Sequence, residues 1–152
     1  MITRRSILAG AVALPALWLA TGPASAASPE VFTRDGAAIG GYDPVAYFTQ
    51  GKPVKGAAAH SVTWKGAEWR FATAENKASF EADPAAYAPQ YGGYCAFAVS
   101  RGYTAKTEPD AFTVHEGKLY LNFDKGVRRR WERDVPGNIS KGDANWPTVL
   151  GD

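Results

Sequence analysis

The sequence predicts an α+β fold: one compact domain made of two β-hairpin-plus-helix units. Three observations carry that prediction. Ser61-Val62-Thr63-Trp64 and Ala67-Glu68-Trp69-Arg70-Phe71 alternate about the dipeptide Lys65-Gly66, and Phe112-Thr113-Val114-His115 and Lys118-Leu119-Tyr120-Leu121-Asn122-Phe123 flank Glu116-Gly117. Alternation on both sides of an x-Gly pair is the signature of a hairpin. Each hairpin is followed by a residue suited to cap a helix, Thr73 and then Asp124. Each following segment meets a stop, Asp83-Pro84 and Asp134-Val135-Pro136, because the residue before proline is pushed out of the helical region.

The chain begins with an address. Thr3-Arg4-Arg5-Ser6-Ile7-Leu8 places two arginines before an apolar run to about Ala20, and Ala24-Ser25-Ala26 follows as an A-x-A cleavage signal. This order predicts a twin-arginine (Tat-type) signal peptide over residues 1–26, cleaved after Ala26, and a periplasmic mature protein. The apolar run is shorter than the roughly 20 residues of a membrane helix, so no stable membrane insertion is expected after cleavage. Of 17 basic residues, Arg4 and Arg5 are lost with this segment and no acidic residue is, which leaves 15 against 15 acidic. That balance argues against a nucleic-acid partner. The local run Gly126-Val127-Arg128-Arg129-Arg130-Trp131-Glu132-Arg133 reads as a solvated helix face.

After the address, residues 27–39 lack a clear period and read as an N-terminal arm, with the domain at residues 40–152. Gly40-Gly41-Tyr42-Asp43-Pro44 is a turn. Val45-Ala46-Tyr47-Phe48 is apolar, and its pattern does not separate helix from strand. Gly51 to Gly56 is a loop. In the first hairpin Val62 and Trp64 share one face, and Trp69 and Phe71 share a face of the second strand. Thr73 starts a helix to about Ala82, with Ala78 and Phe80 as inward candidates, and Pro84 opens a short turn to Tyr87. In the second unit Asp124 starts a helix that contains Trp131. Asn138 to about Asn145 is weakly helical, and Trp146-Pro147 closes the chain with Trp146 pinning the tail. A shift of 51 residues aligns Gly66 with Gly117, Glu81 with Glu132 and Asp83 with Asp134, and sets Phe80 against Trp131 and Cys95 against Pro44. The order of signals fits a degenerate tandem repeat. It also fits the reuse of hairpin-then-helix grammar common in small α+β proteins.

Residues 42–87 carry a recognisable pattern. Gly41-Tyr42-Asp43-Pro44-Val45-Ala46-Tyr47-Phe48, His60-Ser61, Trp64-Lys65-Gly66, Trp69-Arg70-Phe71 and Phe80-Glu81-Ala82-Asp83-Pro84-Ala85-Ala86-Tyr87 resemble the YHS domain. That module occurs beside heavy-metal-transporting ATPases and in multicomponent oxygenases. With Gly92-Gly93-Tyr94-Cys95-Ala96 and Asn145-Trp146-Pro147 added, the chain is similar to exported YHS-domain-containing proteins, some of which resemble selenoproteins with selenocysteine at the place of Cys95. Metal-associated members have a cysteine where Ala46 stands, and further cysteines in the region that reads here Ala72-Thr73-Ala74-Glu75-Asn76. The resemblance therefore implies the fold without the usual thiolate site.

Candidate chemistry gathers at QYGGYCAFA, residues 90–98, which holds the only cysteine of the chain. If Gly92-Gly93 lead into a helix near Tyr94, the Cys95 sulfur meets unpaired N–H groups and a favourable dipole. Gly93 would then let a substrate approach, and Tyr91 and Tyr94 would hydrogen-bond an oxidised sulfur. This points to a thiol redox role through Cys95, Tyr94 and Gly93, and the resemblance to selenoproteins supports it. No second cysteine can resolve a sulfenic acid, so an outside thiol from a periplasmic partner would be needed. The alternative is a non-catalytic module that binds a metal ion or a partner protein. A mixed Cys/His site of His60, Cys95 and His115 would suit copper or zinc, although nothing in the spacing demands it. Cys95 can also be a buried core residue or half of an intermolecular disulfide. His60 is in phase with Val62 and Trp64 and reads as an interior histidine, and His115 abuts a turn. Trp64, Trp69, Trp131 and Trp146 read as core. There is no Gly-x-Ser-x-Gly elbow and no phosphate loop.

Overall fold

The structure is a computed structural model that describes residue 10 and residues 27–151. The expected signal peptide lies outside the described residues. The described chain runs β1 (Thr33–Arg34), β2 (Ala37–Ala38), α1 (Pro44–Thr49), β3 (Ala57–Trp64), β4 (Ala67–Phe71), α2 (Ala74–Ala82), α3 (Pro84–Tyr87), α4 (Ala96–Ser100), β5 (Phe112–His115), β6 (Lys118–Leu121), α5 (Lys125–Trp131) and α6 (Val135–Asn145). Strands pair as three antiparallel hairpins, β1 with β2, β3 with β4 and β5 with β6. This is the expected α+β architecture with two hairpin-plus-helix units.

Local chemistry explains the elements. Asp43 caps α1 by accepting from the N–H groups of Val45 and Ala46, and Pro44 at the first helical position has no N–H to satisfy. The open assignment of residues 45–48 therefore resolves to helix. Trp64 pairs with Ala67 and Val62 with Trp69. Ala67, Trp69 and Phe71 face inward while Glu68 and Arg70 stay half-buried. Thr73 accepts from Asn76 N–H to cap α2, and Asp124 accepts from Val127 N–H to cap α5. Phe80 is buried in α2, but Ala78, expected inward, is exposed. In a nine-residue helix as polar as Ala-Glu-Asn-Lys-Ala-Ser-Phe-Glu-Ala, one aromatic ring is enough to seat it.

Residues 27–39, expected as an arm, pack into the domain instead. Asp35 and Gly36 close the β1–β2 hairpin with positive φ, and Val31, Ala37, Ala38 and Ile39 are buried. The stretch is too short, and its apolar residues too irregularly spaced, to show a period.

The two units repeat in backbone detail. Lys65 and Gly66 have φ of 49° and 73°, and Glu116 and Gly117 have φ of 49° and 73°. Asp83 ends α2 at φ −154°, ψ 81°, and Asp134 precedes α6 at φ −148°, ψ 71°. Phe80 packs on Trp69 with ring centroids 5.3 Å apart, and Trp131 packs on Tyr120 at 4.9 Å. All of these hold the 51-residue register. The glycine turns do not: Ile39, Gly40 and Gly41 (φ 46°, 71° and 80°) match Tyr91, Gly92 and Gly93 (φ 58°, 62° and 84°) with an offset of 52. Cys95 is therefore the counterpart of Asp43, not of Pro44, because the loop between helix and hairpin differs by one residue in the two units.

One apolar cluster gathers Val45, Tyr47, Trp69, Phe71, Phe80, Leu119 and Leu121, and a second gathers Tyr91, Tyr94, Ala96, Val99, Tyr120 and Trp131. Alternate residues of β6 thus enter alternate cores, so this strand lies between the units. Trp146 packs against Tyr91 and Tyr94 at 6.0 and 6.4 Å, which pins the tail as expected. Arg128 pairs with Glu132 at 2.9 Å, and Arg129 and Arg130 are exposed. No described helix is long and apolar enough to cross a membrane.

Candidate functional site

Cys95 stands at the N-cap of α4, as the glycine turn predicts. The sulfur is not reachable: Cys95 is 1% exposed. Its thiol donates to Asn122 Oδ1 at 3.6 Å, and the same oxygen accepts from Phe97 N–H at 3.1 Å. Burial pushes the thiol pKa up, against the N–H groups of Ala98, Phe123 and Phe97, which pull it down, while Asp124 adds to the rise. The net direction favours the neutral thiol; the redox reading expects a low-pKa, accessible thiolate, and the burial agrees instead with the alternative of a core cysteine.

The rest of the expected redox constellation is occupied elsewhere. Tyr94 donates its hydroxyl to Pro29 O at 2.8 Å, and Tyr91 donates to Asp143 Oδ1 at 2.9 Å. Neither hydroxyl is committed to sulfur. A Cβ on Gly93 would come within 2.5 Å of Ile39 Cγ2, so this glycine serves packing rather than substrate approach. The reason is the 52-residue register: Cys95 takes the place of a buried capping residue, and Asp43, its counterpart, is 0% exposed.

The three candidate metal ligands do not come together. Cys95 is buried, His60 is half-buried on β3, and His115 ends β5 with Nε2 3.9 Å from Glu116 Oε1. His60 is half-buried, as are Val62 and Trp64 with which it is in phase, and a bulge lies between Ala57 and Ser61. Among the described residues no group of three or more His, Cys, Asp or Glu side chains is placed to hold a metal ion. With Ala46 buried where the resemblance expects a thiolate, the residues present do not fit a resident metal.

The structure instead shows a cleft of about 370 Å³ where the units meet the N-terminal segment and α6. Its aromatic walls are Trp64 and Trp69 from the first hairpin, Tyr91 from the second glycine turn, and Trp146 from the tail. Its charges are Glu30, Lys65 and Asp143. Lys65 Nζ meets Glu30 Oε1 at 2.7 Å and stands 4.9 Å from the centre of the Trp64 ring. Tyr91 holds a left-handed φ of 58° that few non-glycine residues adopt. Its hydroxyl bond to Asp143 and its packing over Gly142 fix the ring, since a Cβ on Gly142 would come within 2.5 Å of Tyr91 Oη. Gly92 lets the N-terminal segment cross: a Cβ there would collide with the Glu30 carbonyl, and Phe32 N–H bonds Gly92 O at 2.8 Å.

Sequence reasoning placed these tryptophans in the core and missed the cleft. Trp69 is indeed buried, but Trp64 and Trp146 are only half-buried. The run of three positive-φ residues at Tyr91-Gly92-Gly93 was the available signal, through its two glycines.

A paired-unit α+β module with a ligand-sized aromatic cleft is the class that fold and site define. Residues 45–91 match the YHS domain, so the chain carries a YHS domain from α1 to Tyr91. The match covers Trp64, Lys65, Trp69 and Tyr91 of the cleft, while Glu30, Asp143 and Trp146 come from outside it. No curated protein and no solved structure matches the chain.

Proposed function

We propose that the protein is an exported, non-catalytic binding module whose ligand site is the aromatic cleft. The cleft carries this reading: about 370 Å³ lies within the range of small-molecule sites, and polar groups converge on aromatic walls. Its location in the periplasm rests on the twin-arginine segment and Ala24-Ser25-Ala26. With the usual thiolate positions vacated, an organic ligand suits the module better than a metal ion. Titration with benzyl alcohol and with benzylamine, followed by the indole N–H resonances of the tryptophans, tests it. Saturable shifts centred on Trp64, Trp69 and Trp146 are expected. Shifts centred elsewhere, or none with either probe, would overturn it.

A second reading keeps the redox role of Cys95, favoured by its place at the N-cap of α4, where the backbone around Phe97, Ala98 and Phe123 pulls the thiol pKa down against burial. In that reading the thiolate attacks one oxygen of hydrogen peroxide and the other leaves as water; an outside thiol then condenses with the sulfenic acid to a mixed disulfide with loss of water, and a second outside thiol releases Cys95. Peroxide oxidation of Cys95 in the folded protein faster than that of free cysteine would favour it over the first.

A further inference from the structure

We infer that the cleft selects an organic cation: an ammonium group, quaternary or protonated, on a small apolar body. The inference rests on the cleft being the ligand site. Four aromatic residues, Trp64, Trp69, Tyr91 and Trp146, line it, and ring faces attract cations. Neither ring pair is a face-to-face stack: Trp64 meets Trp69 edge to face at 5.8 Å and 61°, and Tyr91 is tilted on Trp146 at 6.0 Å and 57°. Trp69 and Tyr91 are buried, so the half-buried Trp64 and Trp146 offer most of the accessible ring surface.

Charge points the same way. The lining holds two carboxylates, Glu30 and Asp143, against one ammonium, Lys65. Lys65 is committed to Glu30 at 2.7 Å, which leaves Asp143 as the carboxylate not neutralised within the lining. Asp143 accepts from Tyr91, a phenol kept protonated by burial first and by this hydrogen bond second. An anionic ligand would meet excess negative charge here, and a neutral one would gain only apolar contact. The Lys65 ammonium, 4.9 Å from the Trp64 ring centre and ion-paired to Glu30, already shows the recognition mode in use. A second cation held between Asp143 and the Tyr91–Trp146 pair would repeat it within the same cleft.

Choline and its neutral isostere 3,3-dimethylbutan-1-ol separate charge from shape. Tryptophan fluorescence and indole N–H shifts of residues 27–152 would follow both titrations. Choline is expected to bind saturably at the cleft about tenfold more tightly than the alcohol. Asp143→Asn, which keeps an acceptor for Tyr91 at an exposed position, is expected to remove most of that preference while the alcohol binds as before. Equal or tighter binding of the alcohol at the same resonances would overturn the cation assignment and leave the cleft as the site. Choline binding that Asp143→Asn does not weaken would overturn it as well. Absence of shifts with choline, the alcohol and benzyl alcohol alike would overturn both the inference and the cleft reading.

Discussion

Replacing Asp43 with alanine removes four hydrogen bonds from one buried carboxylate. Oδ1 accepts from Val45 N–H at 2.9 Å and Ala46 N–H at 3.3 Å, and Oδ2 accepts from Ala72 N–H and Asn76 Nδ2, both at 2.8 Å. The carboxylate thus joins the start of α1 to the end of β4 and the first turn of α2. Loss of a helix cap costs about 1 kcal/mol, and stranding inward-facing donors of Ala72 and Asn76 costs about 1–3 kcal/mol more. A total of about 2–4 kcal/mol is a large part of the roughly 5–15 kcal/mol expected of such a domain. Cys95→Ala at the equivalent position removes one weak S–H bond of 3.6 Å and a small sulfur volume, about 1–2 kcal/mol. Urea unfolding followed by tryptophan fluorescence compares the two. Asp43→Ala is expected to cost clearly more than Cys95→Ala, with unchanged slope. Cys95→Ala costing the same or more would refute the pairing of Cys95 with Asp43 as a weaker version of the same keystone.

Gly142→Ala would gain about 1 kcal/mol of helix propensity in isolation, yet its Cβ would press on Tyr91 Oη and Cζ at 2.5 and 2.7 Å. The variant is therefore expected to melt lower and to bind cleft probes more weakly; a higher melting temperature with unchanged binding would contradict the packing. Cys95 is expected to resist a thiol reagent such as dithiobis(nitrobenzoate) in the native protein and to react fully in urea. At high pH, Cys95 and the tyrosines Tyr47, Tyr91, Tyr94 and Tyr120 are all raised by burial from ordinary values of 9.0 and 10.0. The unfolded chain loses these protons first, so their stabilisation is fully present below about pH 9 and is lost as pH rises through the folded values, by at most about 1.4 kcal/mol per pH unit for each group. A denaturant midpoint that stays flat from pH 9 to 11 would contradict this.

Much of the fold was legible because its punctuation is local. Lys65-Gly66 and Glu116-Gly117, the caps Thr73 and Asp124, and the stop at Asp83-Pro84 act over three or four residues, and the structure keeps each of them. The helix at Pro44–Thr49 was ambiguous because six apolar-rich residues carry no period; the Asp43 cap decides it. The β1–β2 hairpin escaped because two-residue strands leave no alternation to read. The glycine turn put Cys95 at a helix start, but whether that start faces solvent depends on Asn122, 27 residues away in sequence. The cleft is least legible of all, since Glu30, Trp64, Tyr91 and Asp143 meet only when the N-terminal segment, the first hairpin and α6 are folded together.

The central claim is that ligand binding belongs to the aromatic cleft and not to the cysteine. Side-by-side titration of the wild-type protein, Trp146→Ala and Cys95→Ala with benzylamine, read by the remaining indole N–H resonances, tests it most directly. The account predicts saturable shifts at Trp64 and Trp69 that persist in Cys95→Ala and weaken severalfold in Trp146→Ala. Binding abolished by Cys95→Ala in a folded protein, with Trp146→Ala unaffected, would contradict it.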